Sequence, residues 1–115
     1  MSDINNSGLA DPSIVHSAIQ LPEPHVQIIQ RILRRQVPQA QVFAFGSRVN
    51  RTPRKYSDID LAIALPQPLG LRRLRQLKDA FEDSDLPICV DIVDWSLADP
   101  DFKATVKAQG LAALQ

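Results

Sequence analysis

The sequence predicts an α/β (α+β) fold, a small mixed β-sheet covered by helices. Apolar residues recur at three- and four-residue steps over 26–37 and again over 71–81, the period of a helix with one buried face. Short alternating or β-branched runs at 41–45, 59–65 and 88–93 read instead as strands. Prolines and acidic turns separate these runs, giving the order helix, strand, loop, strand, helix, strand, helix. With three predicted strands, a mixed arrangement is expected.

Each element has its own start and stop. Leu21-Pro22-Glu23-Pro24 announces the first helix, because proline is tolerated where the backbone N–H has no intrahelical partner. Val26, Ile29, Leu33 and Val37 form its stripe, Arg31, Arg34 and Arg35 oppose the negative pole of its dipole, and Pro38 ends it. Gln41 to Phe45 is a short strand that runs into a turn at Gly46. Arg48 to Ser57, polar and basic with Thr52-Pro53 inside, reads as a loop or one helical turn plus loop. In the strand from Ile59 to Leu65, Ile59, Leu61, Ile63 and Leu65 face one way and Asp58, Asp60, Ala62 and Ala64 the other.

Pro66-Gln67-Pro68 stops that strand, and a second helix from Leu69 to about Glu82 carries Leu71, Leu74, Leu77 and Phe81 on one face and Arg72, Arg73, Arg75 and Lys78 on the other. The third strand, Ile88 to Val93, follows Pro87. Asp99-Pro100-Asp101 combines an N-cap, a first-turn proline and a first-turn acid; Phe102, Val106 and Gln109 share one face, and Gly110 is placed to end this last helix. Residues 1–20 lack a clean period and are expected to be poorly ordered or loosely packed, Ile14, Val15 and Ile19 adding at most a short packed turn, with the folded domain at 21–115.

At 115 residues, 44% of them hydrophobic, the chain makes one domain with an aliphatic core. No stretch approaches the roughly 20 apolar residues of a membrane helix and no signal-peptide pattern opens the chain, so a cytoplasmic location is expected. The one cysteine, Cys89, excludes an internal disulfide and is expected as a buried structural thiol. His16 and His25 have no metal-ligand companion at useful spacing and are expected at the surface. The net charge of zero conceals a separation: 31–78 carries eleven Lys/Arg against two Asp, a net of +9, and 79–103 one Lys against eight acids, a net of −7. A strong electric dipole is expected, either as two solvated faces or as a basic surface for polyphosphate, nucleic acid or an acidic partner.

The chemistry concentrates in Phe45-Gly46-Ser47-Arg48 and Ser57-Asp58-Ile59-Asp60. Glycine lets the main chain approach a phosphate closely, the Ser47 hydroxyl and nearby amides can donate to its oxygens, and Arg48 can add a cationic contact. Asp58 and Asp60, two apart on a strand, point the same way and can reach the same one or two cations. Asp91 joins them if its strand lies beside theirs. Three converging carboxylates repel unless a hard cation such as Mg²⁺ neutralises them, and Asp91 is then the candidate general base or second-metal ligand.

Gly46-Ser47, a ten-residue gap, Asp58-Ile59-Asp60 and the later Val90-Asp91-Ile92-Val93-Asp94-Trp95 together resemble the minimal nucleotidyltransferases of the DNA polymerase beta superfamily, over roughly residues 23 to 110. The resemblance implies the nucleotidyltransferase fold and transfer of AMP from ATP to a hydroxyl, with two Mg²⁺ ions held by Asp58, Asp60 and Asp91. It also implies an antitoxin that modifies a tyrosine of a partner HEPN ribonuclease toxin in a hetero-oligomer. The chain departs from the family at Arg51, where members often have glycine; a positive φ there would strain arginine. Asp94 faces away from Asp91 and is expected to be structural or capping, Trp95 to pack at the sheet end, and Tyr56 to pack or meet solvent. Two alternatives use the same fold differently: an antitoxin that neutralises by complex formation alone, and a module that docks a polynucleotide-modifying subunit, with the Arg72-Arg73-Arg75 face against RNA.

Overall fold

The structure, a computed structural model, describes residues 14–50 and 58–115. Its elements are α1 (Glu23–Gln36), β1 (Gln41–Phe45), the single turn α2 (Ser47–Asn50), β2 (Ile59–Ala64), α3 (Leu71–Glu82), β3 (Val90–Asp94), a 3₁₀ turn (Trp95–Leu97), α4 (Pro100–Gln109) and β4 (Ala112–Ala113). The four strands lie in the order β3-β2-β1-β4. β1 pairs antiparallel with both β2 and β4, while β2 and β3 run parallel, joined by the α3 crossover that parallel pairing requires. The sheet is mixed, as expected, but has a fourth strand. Its two-residue pairing (Phe43↔Ala113, Ala44↔Ala112) is too short to leave a period in the sequence.

Strand alternation divides the core in two. On one face Val42, Ala44, Ile59, Leu61 and Ile63 pack against Ile29 and Leu33 of α1 and Leu77 and Phe81 of α3. On the other, Phe43, Ala62 and Ala64 meet Trp95, Val106 and Leu111. Ala62 is opposite Phe43 in the β1–β2 register, and the small alanine leaves room for Phe43 to stand edge-on to Trp95, centroids 4.9 Å apart. The packing expectation for Trp95 holds.

Helix ends follow their local chemistry. α1 has proline in its first turn, Glu23 near its positive pole and Arg34 and Arg35 in its last turn. The Asp99 carboxylate accepts the Asp101 N–H at 3.1 Å, and the Gly110 N–H donates back to Val106. Helix α3 begins two residues later than the apolar spacing suggests, because Gly70 at φ +85° precedes it. Leu71 is therefore not part of the stripe; it is 86% exposed, and Leu74, Leu77 and Phe81 carry the packing. On α4, Phe102 and Val106 pack while Gln109 stays exposed.

Within the N-terminal segment the expectation for residues 1–13 lies outside the described residues. Residues 14–20 run extended beside the C-terminal part: Ile14 is buried, Ser17 N–H donates to the Leu111 carbonyl, and His16 bridges in parallel to Leu111. The other end of the chain is tied in as well, Gln115 Nε2 donating to the carbonyls of Val37 at 2.7 Å and Ala40 at 3.2 Å.

Three expectations change. Cys89 is exposed, because it precedes β3 in the open cleft beside the end of α3. His16 is exposed as expected, but His25 is half-buried in the first turn of α1 with Nδ1 enclosed and without a hydrogen-bond partner. The charge separation is partly folded back on itself: Arg31 and Arg35 line one cleft together with Asp83 and Asp85, so opposite charges face each other there. The exposed Arg72, Arg73 and Arg75 remain a basic face of α3. Because Leu61 is wholly buried in the larger core, Leu61→Ala is expected to lower unfolding stability by about 3 kcal/mol, read as a fall in the urea midpoint at unchanged slope.

Candidate active site

The glycine–serine turn closes β1 at the point where β2 begins. Phe45 is opposite Asp60 in the antiparallel register, so the next residue, Gly46, lies against the Asp60 carboxylate. Gly46 has φ +80°, and a Cβ added there would stand 2.5 Å from Asp60 Oδ2. Both facts demand glycine: the backbone is in the left-handed region, and the side-chain space belongs to a carboxylate. The chain then turns once through α2, Val49 N–H donating to the Gly46 carbonyl.

Asp60 is the exception in its strand. Every other residue from Ile59 to Leu65 is buried, whereas Asp60 is half-buried at the end of the second face, beyond the reach of the Trp95–Val106 packing. Asp58, just before the strand, is exposed. Asp60 is directly opposite Asp91 in the parallel β2–β3 register, so the two side chains share a face, and Val90 and Ile92 turn the other way into the helix-covered core. Asp58, Asp60 and Asp91 are thus brought to one end of one sheet face.

Their electrostatics agree. The Asp60 carboxyl is held above its ordinary value of 3.8, first by burial, then by the negative charge of Asp91 and that of Asp58. Among the described residues, no group of three or more His, Cys, Asp or Glu is gathered closely enough to hold a metal ion as the side chains stand. The donor set is nonetheless all carboxylate and hard, which fits Mg²⁺ and not a soft metal.

Arg48 is placed unlike an open phosphate contact. It is 5% exposed; its Nη1 donates to the Gln20 carbonyl at 3.2 Å, and the Gln20 N–H donates in return to the Arg48 carbonyl. Arg48 therefore braces the turn against the N-terminal ribbon from behind. Arg51 and Tyr56 lie outside the described residues. Asp94 does cap: its Oδ1 accepts from the N–H and hydroxyl of Ser96, and its Oδ2 accepts the Leu69 N–H at 2.7 Å, tying the β2–α3 loop to the end of β3.

Sequence reasoning missed the aromatic wall beside the carboxylates. Phe45, on the Asp60 face, packs edge-on to Phe102 of α4 with centroids 5.8 Å apart, and Phe102 also meets Trp95. Phe45 is far along the chain from Trp95 and Phe102, so their contact leaves no local signal. A cleft of about 500 Å³ on the far side of Asp91, between the end of α3 and the start of β3, is lined by residues of the one stretch 78–91 but leaves no periodic signal there.

Residues 27–112 match the family described as Polymerase beta, Nucleotidyltransferase, and the chain belongs to it. It is 40% identical over 89 residues to the "Probable protein adenylyltransferase MntA" of Haemophilus influenzae, an alignment covering 77% of this chain and 78% of that protein. Among solved structures it resembles a chain of a toxin–antitoxin crystal structure with AMP-PNP, at 25% identity and TM-score 0.65, covering 78% of this chain and 72% of the other. It also shares its fold with a chain of a mutant MntA–HpeT toxin–antitoxin structure, at 22% identity and TM-score 0.62 over 78% and 72% of the two chains.

The raised Asp60 pKa has a defined effect on stability. The folded chain keeps a proton that the unfolded chain has released, so this group favours the fold fully below pH 3.8 and loses that contribution as pH rises through the folded value. Without divalent cations at neutral pH, Asp60→Asn is expected to raise the urea midpoint, and the gain should vanish in acid. Gly46→Ala should do the opposite, lowering stability by about 2 kcal/mol through backbone strain and the clash with Asp60, as read by the same unfolding titration.

Proposed function

We propose that this chain is an Mg²⁺-dependent protein adenylyltransferase that acts as an antitoxin, transferring AMP from ATP to a hydroxyl, a tyrosine, of a partner HEPN-type toxin in the cytoplasm. The observation that carries this reading is the register that sets Asp60 opposite Asp91 with Gly46 against the Asp60 carboxylate, in a chain 40% identical to an adenylyltransferase. Among the described residues no helix is long and apolar enough to cross a membrane.

Asp58, Asp60 and Asp91 would hold the metal, two ions by analogy, with Gly46 and Ser47 presenting main-chain donors to the phosphates and Arg48 fixing that turn. When bound, Mg²⁺ neutralises charge on the phosphates and the leaving pyrophosphate. Asp91 accepts the proton of the acceptor hydroxyl while that oxygen bonds to the α-phosphorus and the bond from the α-phosphorus to pyrophosphate breaks. Phe45, paired with Asp60 across the sheet, would flank the reacting groups on one side.

Incubation with ATP, Mg²⁺ and the toxin encoded beside it should add one or more AMP units to the toxin, seen by mass spectrometry. Asp58→Asn, Asp60→Asn or Asp91→Asn should each reduce the rate roughly a thousandfold, the several kcal/mol that metal-assisted charge stabilisation supplies. Full neutralisation of the toxin by the Asp58→Asn, Asp60→Asn double variant, with no AMP transfer by the wild type, would instead establish a binding antitoxin.

A further inference from the structure

Across the sheet, the features of the site follow a line: the Gly46 turn at the end of β1, Asp60 on β2, Asp91 on β3, and then the cleft of about 500 Å³ beyond Asp91. The phosphate-binding turn is at one end of this line and the cleft at the other. β3 is the outer strand of the sheet. Because Ile59 N–H donates to the Cys89 carbonyl at 3.0 Å, the main-chain groups of Cys89, Asp91 and Val93 point to β2, and those of Val90 and Ile92 point outward, where no further strand lies among the described residues.

From this juxtaposition we infer that β3 and the adjoining cleft form the acceptor site: an extended segment of the partner polypeptide adds to the outer edge of β3 and places a side chain in the cleft, which brings its hydroxyl to Asp91. The inference rests on the transferase reading above and specifies where and how its acceptor binds. The unpaired N–H and C=O groups of Val90 and Ile92 are the recognition elements of strand addition. Phe81, Leu86 and Ile88 give the cleft apolar walls, and its volume is within the range that holds a large side chain. Its charged lining is Lys78 against Glu82 and Asp91, so a polyanion such as RNA is disfavoured there and a neutral peptide segment is not. The nucleotide and acceptor then reach Asp60 and Asp91 from opposite ends of the line without competing for space.

The test uses the full chain with Mg²⁺, ATP and the full-length toxin. Ile88→Asp, which alters the cleft wall without touching the carboxylates, should raise the KM for toxin by about tenfold or more and leave the KM for ATP unchanged. A variant-free arm uses the wild type. Toxin should slow hydrogen exchange at the outward amides of Val90 and Ile92, and should slow thiol labelling of Cys89, the exposed cysteine in the same cleft. An unchanged toxin KM in an Ile88→Asp protein of wild-type Tm would overturn the proposal, as would unaltered exchange and labelling with toxin bound. If the wild type transfers no AMP, the transferase reading fails, while exchange and labelling still decide whether the edge is where the toxin docks.

Discussion

The contact between Gly46 and Asp60 sets the terms for the rest of the molecule. β2 is the central strand, covered on one face by α1 and α3 and on the other by Trp95 and α4, and such a strand is ordinarily apolar throughout. Asp60 interrupts it. A carboxylate half-removed from water beside two like charges is unfavourable unless a cation offsets it. The fold accommodates it by ending the second layer early and by closing β1 with a residue that has no side chain. Everything else that positions the site, from the Phe45↔Asp60 register to the brace on Arg48, keeps that glycine and that carboxylate adjacent.

An unfavourable charge cluster in an otherwise well-packed domain also links ligand binding to folding. A cation that binds the folded chain and relieves the repulsion adds stability through mass action, in proportion to the logarithm of its concentration over its dissociation constant. The isolated domain and its loaded form are thus expected to differ in rigidity at the ends of β2 and β3, where the carboxylates are, more than in the helix-covered core.

Much of this was legible in the sequence where a local rule and the fold agree. The stripe of Val26, Ile29 and Leu33, the alternation of Ile59, Leu61 and Ile63, and the Asp99-Pro100 start of α4 each appear where the periods and caps put them. The three aspartates were readable because alternation on a strand fixes direction, leaving only strand adjacency to be learned. What failed was set by tertiary context. Leu71 fits a helical stripe in spacing, yet Gly70 delays the helix and leaves it exposed. Cys89 has apolar neighbours in sequence but lies in the open cleft beside the end of α3. Arg48 looks like a ligand to phosphate and is instead enclosed against Gln20. β4 and the Phe45–Phe102 contact arise from segments far apart in the chain, and no window of sequence contains them.

Trp95 is the one tryptophan of the chain, and its surroundings make it a built-in optical gauge. It is 5% exposed, flanked by Phe43 and Phe102, with the Lys103 ammonium 5.6 Å from its ring centre. Through Phe102 it touches Phe45, the residue paired with Asp60. Its emission therefore reports from a single known place, two aromatic rings removed from Asp60, and a shift of α4 against the sheet would change its colour and intensity without any label having been attached.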